Sequence, residues 1–303
     1  MLKLSVVVSC YKQREYIADC IDSILAQDIK VPYEIVISDD YSPDGTREVV
    51  EDYAKRHPDL IRVLPNTENV GPARNYFRAH NAARGDFVAH IDGDDLMLPG
   101  KLQQQVDVLE ANPECTLVIH RARYFNDSRT YVSETGELPD GRELIFFTRA
   151  EQARWGTIAV HSSYMYRASA RTTREYRGDF MEWYFTMEYL SQPGTRACFV
   201  NRVLVEYRCN ESNQAYLASR SGRQRSYLIL IGHLMDHFTA LPALRRDIYA
   251  HAFLNILTYH RTIRTFSPNM IWFLLRHANY FDLARVRETM RIRRAVGPKQ
   301  RIR

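Results

Sequence analysis

Within its first hundred residues the chain alternates four short β-rich apolar runs with three helix-like segments. Both periods in turn are satisfied by an α/β layer built on a parallel sheet. The runs lie at 4–10, 34–38, 61–64 and 87–91, and the helices between them at 15–26, 46–57 and 72–83. Ile17, Ile21, Ile24 and Leu25 form one apolar stripe of the first helix. Each strand ends in a polar loop, which is where open α/β sheets bind their ligands.

The pattern continues less regularly. Pro99 opens a helix over 99–110, a position proline favours. A strand is predicted at 116–120, a polar, turn-rich loop at 126–141, a helix at 180–190 and strands at 197–200 and 203–207. Beyond Arg208 the texture becomes helical, with predicted helices at 223–240, 243–264, 268–277 and 280–294. The division expected is therefore 1–210 and a helical module over 211–303.

Charge follows the same division. The net charge is +5, but from residue 211 onward Lys and Arg number 16 against 5 acidic residues, so the first part is net acidic. The basic tail has two readings: a solvated helical face, or a surface drawn to anionic lipid headgroups at the inner leaflet, with Trp272, Phe273, Leu274 and Leu275 close by to insert. The acidic first part and the lack of a binding motif argue against nucleic acid. The 5 cysteines are scattered, with no Cys-x-x-Cys pair, which fits a reduced cytoplasmic compartment. No leader is expected at the N-terminus and no transmembrane helix in the chain, since the apolar run at 227–234 is too short to span a bilayer.

Three carboxylates crowd one turn in Asp92-Gly93-Asp94-Asp95, directly behind the run Phe87-Val88-Ala89-His90-Ile91. Like charges this close call for a divalent cation or polyol hydroxyls. Three further clusters follow other strands: Ser9-Cys10-Tyr11-Lys12, where Tyr11 can flank a flat base; Asp39-Asp40-Tyr41-Ser42-Pro43-Asp44-Gly45-Thr46; and Asn69-Val70-Gly71-Pro72-Ala73-Arg74-Asn75. Asp40, Ser42, Asp44, Gly45 and Glu51 also fit the spacing of a calcium loop. That loop needs a preceding helix, and Pro32 with the β-branched Ile35-Val36-Ile37 stand there instead. Asp44 reads as a cap for the helix starting near Thr46.

In this order and spacing the four motifs resemble the inverting family-two glycosyltransferases of the GT-A fold, over about the first 210 residues. The resemblance implies a Rossmann-like mixed sheet and a sugar transfer from a nucleotide diphosphate sugar to a hydroxyl, in surface-polysaccharide or lipid-linked glycan synthesis. UDP is the nucleotide expected, with thymidine diphosphate as its rival. Ser9, Tyr11 and Asp39 match nucleoside-holding positions, with Asp40 and Gly93 beside them; Arg74 matches a position near the base or diphosphate. Asp92 matches the ribose carboxylate and Asp94 the ligand of Mn²⁺ or Mg²⁺. Asp95 either bonds a donor-sugar hydroxyl or supports its neighbours.

An acceptor hydroxyl with a pKa far above 7 needs a general base. The family takes it from an acidic residue before a tryptophan, which in Gly178-Asp179-Phe180-Met181-Glu182-Trp183 is Glu182, where relatives carry aspartate; Asp179, one turn earlier, is the alternative. A second departure is Asn210, where relatives often place a histidine. Trp155, His161 and Trp183 are expected on the acceptor side. Two other classes stand beside this one: a sugar nucleotidyltransferase, whose Gly-rich signature loop is missing after the first strand, and a non-catalytic protein on the same fold.

Overall fold

The computed structural model describes residues 2–64, 66–171, 182–209 and 219–297. At its centre β1 (Leu4–Cys10) pairs in parallel with β2 (Tyr33–Asp39) on one side and β4 (Phe87–Asp92) on the other. A further strand, β3 (Ile61–Leu64), extends the sheet beyond β2. The crossovers are α1 (Ile17–Leu25), α2 (Thr46–Arg56) and α3 (Pro72–Ala82). These seven elements are those expected from the two periods, with ends displaced by one or two residues. β1 is apolar on both faces because helices cover both: Val6 and Val8 enter one core, Val7 the other.

The sheet then turns mixed. Past β4 the order runs through β9 (Met165–Arg167), β6 (Cys115–Phe125) and β10 (Arg196–Arg208) to β5 (Leu96–Met97). β9 is antiparallel to both its neighbours, and β6 and β10 are parallel. α4 (Lys101–Ala111) packs against β6. β7 (Tyr131–Glu134) pairs with β6 inside the stretch expected to be loop, and β8 (Leu144–Phe147) pairs with β10. The two strands expected at 197–200 and 203–207 are one strand, whose register against β6 slips between Val200 and Val203 and again before Val205. The polar pair Asn201-Arg202 that interrupted the apolar pattern is thus a bulge.

The C-terminal helices are α7 (Arg220–Ala240), α8 (Arg245–Ile263), α9 (Pro268–Arg276) and α10 (Leu283–Val296). The first three share a core with α5 (Arg149–Trp155) and α6 (Glu182–Tyr189), through Ala153, Trp183 and Met187. Ile292 and Val296 of α10 enter the core under the sheet. A buried ionic knot adds direction to this contact. Arg154 reaches Asp247 Oδ1 at 2.5 Å and Glu288 Oε1 at 2.9 Å, and Arg285 reaches the same Asp247 oxygen at 2.8 Å. Removing one partner of such a knot strands a buried charge, so α5, α8 and α10 are held in a defined register.

Among the described residues no single helix is long and apolar enough to cross a membrane; α7 and the segment through α8 pass such a test only as a pair bent by 117°.

Candidate active site

Strand register brings the motifs together. Ser9 lies between Ser38 and Asp92, and Cys10 beside Asp39, at the carboxyl edge of the three central parallel strands. Gly93 tucks beneath this edge: a Cβ there would sit 2.6 Å from Gln13 Oε1 and 2.8 Å from the Cys10 Cβ, so only glycine lets the acidic turn close on β1. The hydroxyl of Ser9 is buried without a partner among the described residues.

Asp39 is buried and accepts from the Ser42 amide at 2.9 Å and from the Ser42 hydroxyl. Beside it opens a cavity of about 220 Å³, lined also by Val63, Leu64, Asn66, Arg47 and Glu51. Asp40 has a different occupation. Its two carboxylate oxygens accept from the Val70 and Gly71 amides at 2.8 and 2.9 Å, which ties the second motif to the third. Burial raises its pKa while those two amides oppose the rise. Asn75 completes the join by accepting from the Ser38 hydroxyl at 2.6 Å and donating to the Ser38 carbonyl at 3.0 Å. Tyr11 and Arg74 are exposed, Tyr11 just past β1 and Arg74 in the first turn of α3. The N-cap of α2 is Gly45, and Asp44 one residue before it accepts from the Thr46 amide and hydroxyl at 3.1 and 2.6 Å.

The three carboxylates of the acidic turn have separate surroundings. Asp95 is buried, accepts from the Ser162 hydroxyl at 2.5 Å and the Arg208 amide at 2.8 Å, and so pins the turn to β10. Burial, then the charges of Asp94 and Asp92, push its pKa well above the ordinary aspartate value. Asp94 is buried, and its carbonyl accepts from Arg208 Nε at 3.0 Å. Asp92 is partly exposed at the mouth of a cleft. Burial would lift its carboxyl, but His90, His161 and Ser162 outweigh that and hold it low.

Behind Asp92 runs a histidine chain that the sequence reading did not single out. His90 Nε2 lies 3.1 Å from Asp92 Oδ1, His80 Nε2 lies 3.0 Å from His90 Nδ1, and the Tyr166 hydroxyl lies 2.6 Å from His80 Nδ1. His161 stacks on His90 with ring centroids 4.1 Å apart, and its Nε2 is buried without a partner among the described residues. Burial and the neighbouring histidine push both His80 and His161 well below the ordinary value. The one signal available was a histidine in the otherwise apolar run 87–91.

Glu182 opens α6 and lines the same cleft as Asp92 and His161. Its pKa is raised chiefly by burial, with a further lift from Asp92 and an opposing pull from its own backbone amide. Asp179 and Asn210 lie outside the described residues. Trp155 lines the cleft but is largely buried, and its indole N–H donates to Glu288 at 2.9 Å. Trp183 is fully buried in the core with α7 and α8 and donates to the Gln152 carbonyl at 3.1 Å, so it faces away from the cleft expected to hold it. A tryptophan beside a polar helix start serves packing here, because the C-terminal helices close over that face.

Among the described residues no three His, Cys, Asp or Glu side chains gather as a metal cluster. The available donors at the turn are hard carboxylate oxygens. That set fits Mg²⁺ or Mn²⁺ held by few protein ligands and completed by substrate phosphates.

Comparison with known proteins agrees with this geometry. Residues 5–172 match the family model described as glycosyl transferase family 2. An uncharacterized protein of Mycobacterium tuberculosis (strain ATCC 25618 / H37Rv) is 36% identical over 142 residues, 46% of this chain and 41% of that protein. EpsE of Bacillus subtilis (strain 168), which carries the name glycosyltransferase, is 33% identical over 176 residues, 58% of this chain and 60% of its own. The chain thus matches less than two thirds of the length of these relatives. Among solved structures, Staphylococcus aureus TarS 1-349 in complex with UDP-GlcNAc is similar with a TM-score of 0.57 at 17% identity, covering 96% of this chain and 90% of that one. The mannosyltransferase PcManGT of Pyrobaculum calidifontis, in complex with GDP-Man and Mn²⁺, has a TM-score of 0.55 at 18% identity, covering 97% and 85%. The likeness establishes the GT-A fold, and with the family match over more than half its length the chain belongs to glycosyl transferase family 2.

Proposed function

We propose that this protein transfers a sugar, with inversion, from a nucleotide diphosphate sugar to an acceptor hydroxyl in the synthesis of a surface polysaccharide or lipid-linked glycan. The observation that carries the reading is one cleft in which Glu182, a carboxylate with a raised pKa, opens beside Asp92, a carboxylate held low. Two carboxylates with opposed shifts suit opposed tasks. Asp92 stays anionic to accept hydrogen bonds from the ribose, and Glu182 has the basicity to take the proton of the incoming hydroxyl.

The cavity beside Asp39 suits a nucleoside base, whose N–H edge the Asp39 carboxylate would accept while Tyr11 covers its face. UDP is the nucleotide favoured, in keeping with the UDP-GlcNAc of the TarS complex. Ser9 would help hold the nucleoside, and Arg74 would meet the base or the diphosphate. Asp94 would hold Mn²⁺ or Mg²⁺, which when bound neutralises the departing diphosphate as a Lewis acid. Gly93 and Asp95 shape and anchor the turn that carries Asp92 and Asp94. The surface-glycan context is supported by the name of one relative, the teichuronic acid biosynthesis glycosyltransferase TuaG of Bacillus subtilis, 36% identical over 106 residues.

The outer face of α9 supports a membrane-surface location. Trp272 and Leu275 are 62% and 67% exposed, with Arg276 alongside and the exposed Phe266 and Arg264 just before the helix. Apolar anchors with cationic flanks suit an anionic leaflet, and a cytoplasmic enzyme held there would meet a lipid-linked acceptor.

The test is release of nucleotide diphosphate from a panel of UDP-, TDP- and GDP-sugars with and without Mn²⁺, for wild type and Asp94→Asn. Metal-dependent release from a UDP-sugar, lost in Asp94→Asn with the fold unchanged, supports the reading. Metal-independent or undiminished turnover in the variant rejects the assignment of Asp94.

A further inference from the structure

The cleft of about 470 Å³ lined by Asp92 and Glu182 is lined also by Trp155, Thr157 and, from α8 and α10, Asn255 and Arg293; Asp92 meets its wall at Ser162 and Arg293 at Trp155. Arg293 differs from the other inward arginines of this region. Arg154 and Arg285 are paired with Asp247, Glu288 and Asp282. Among the described residues Arg293 has no acidic partner, and its side chain's one hydrogen bond runs from Nε to the Trp155 carbonyl at 3.3 Å. Burial pushes its guanidinium down to about 10, still cationic at neutral pH.

A half-buried cation without a counter-charge is costly, and an arriving anion relieves that cost. The cleft leaves room for one, and glycine at 156 lets its wall pack close to Arg293. Gly156 has φ +85°, and a Cβ there would stand 2.8 Å from the His251 ring and 3.4 Å from Arg293 Nη2. His251 donates from Nδ1 to the Ala153 carbonyl at 2.9 Å, and burial with the Arg293 charge holds its pKa well below the ordinary value. It therefore adds no positive charge of its own. Asn255, also on α8, lines the cleft beside it.

The cleft is thus polarised, with carboxylates at one end and a guanidinium at the other. We propose that the Arg293 end is an oxyanion subsite for the acceptor: a phosphate or carboxylate of the acceptor pairs with the guanidinium while its hydroxyl points toward Glu182. The proposal rests on the reading of the Glu182 end as the transfer site. The carboxylates repel the anion and Arg293 attracts it, so the acceptor enters in one orientation. A planar fork of N–H donors suits either oxyanion in bidentate fashion.

Three probes on one carbon skeleton decide the point: sn-glycerol 3-phosphate, glycerate and glycerol. Each is titrated calorimetrically, at constant ionic strength, into wild type, Arg293→Gln and Arg293→Lys, with and without UDP and Mn²⁺ already bound. Wild type is expected to bind one or both anions and not glycerol; Arg293→Gln should lose about tenfold or more in affinity, some 1.4 kcal/mol, and Arg293→Lys should fall between. UDP affinity should be alike in all three, and neither variant should melt below wild type. Anion binding unchanged in Arg293→Gln, equal binding of glycerol, or no anion binding by wild type overturns the subsite. So does a loss in Arg293→Gln that UDP affinity shares. Failure of wild type to bind any nucleotide rejects the donor site instead, and the arm without nucleotide still judges Arg293.

Discussion

His90 Nε2 lies 3.1 Å from Asp92 Oδ1, and the pair ends a chain of three hydrogen bonds that starts at the Tyr166 hydroxyl. A carboxylate only accepts, so His90 Nε2 is the donor to Asp92, and His80 and Tyr166 hold the His90 ring from behind. The chain sets the orientation of the Asp92 carboxylate from inside the core, because His80, His90 and Tyr166 are all buried.

His90→Phe removes the last donor and should weaken nucleotide binding more than it slows turnover of bound donor. A hydrogen bond to a charged group contributes about 1.5–3 kcal/mol, so a rise in dissociation constant of roughly ten- to a hundredfold is expected by titration calorimetry. His80→Phe, one link further back, should cost less. Equal nucleotide affinity in His90→Phe and wild type rejects the positioning role.

Glu182→Gln should reduce turnover by about 10²-fold or more, as for loss of a positioned base, with nucleotide affinity retained. The wild-type rate should fall as pH drops through the raised pKa of Glu182, since only the carboxylate accepts a proton; the acid limb therefore lies above the ordinary glutamate range. A variant as fast as wild type moves the role to Asp179.

Lys101 is fully buried on α4, donates to Gln105 Oε1 at 3.1 Å, and is pushed by burial from 10.5 down to about 7. Between pH 7 and about 10 the unfolded chain binds this proton and the folded one does not, so the lysine's contribution makes stability rise with pH. Below that window the folded state carries the full cost of a buried cation. Lys101→Met should be more stable than wild type at pH 6, with the difference shrinking as pH rises. Urea unfolding at several pH values measures it, and a difference that does not change with pH counts against the buried charge.

Asp95→Ala leaves the Ser162 hydroxyl and the Arg208 amide without their acceptor. Orphaning a buried donor costs about 1–3 kcal/mol, so a lower urea midpoint is expected together with weaker nucleotide binding. Unchanged stability means that Asp95 does not anchor the turn.

Trp272→Ser combined with Leu275→Ser should reduce co-sedimentation with phosphatidylglycerol-containing vesicles by about tenfold or more, given 1.5–3 kcal/mol for each large apolar side chain buried. Catalysis on a soluble acceptor should persist. Vesicle binding equal to wild type removes α9 as the contact.

The alternation of periods two and 3.6 was enough to locate β1 to β4, α1 to α3 and the loops at their ends, and these hold Asp39 and the Asp92 turn. Such periods encode which face of an element is apolar, and a parallel sheet then places successive loops on one edge. They do not encode which distant element covers that face. Trp183 therefore read as an acceptor-side residue, although α7 and α8 close over it. Asp40 read as a nucleotide contact, yet its oxygens meet amides 30 and 31 residues on. The His80–His90–Asp92 chain, the anchoring of Asp95 by Arg208 across 113 residues, and the placement of Arg293 at the end of the cleft are products of packing alone. What the sequence determined was the set of strands, helices and charged loops, because local periodicity and turn chemistry act within a few residues. The tertiary structure decided which of those charges stay free to meet a substrate, because partners are assigned only when separate elements share a core.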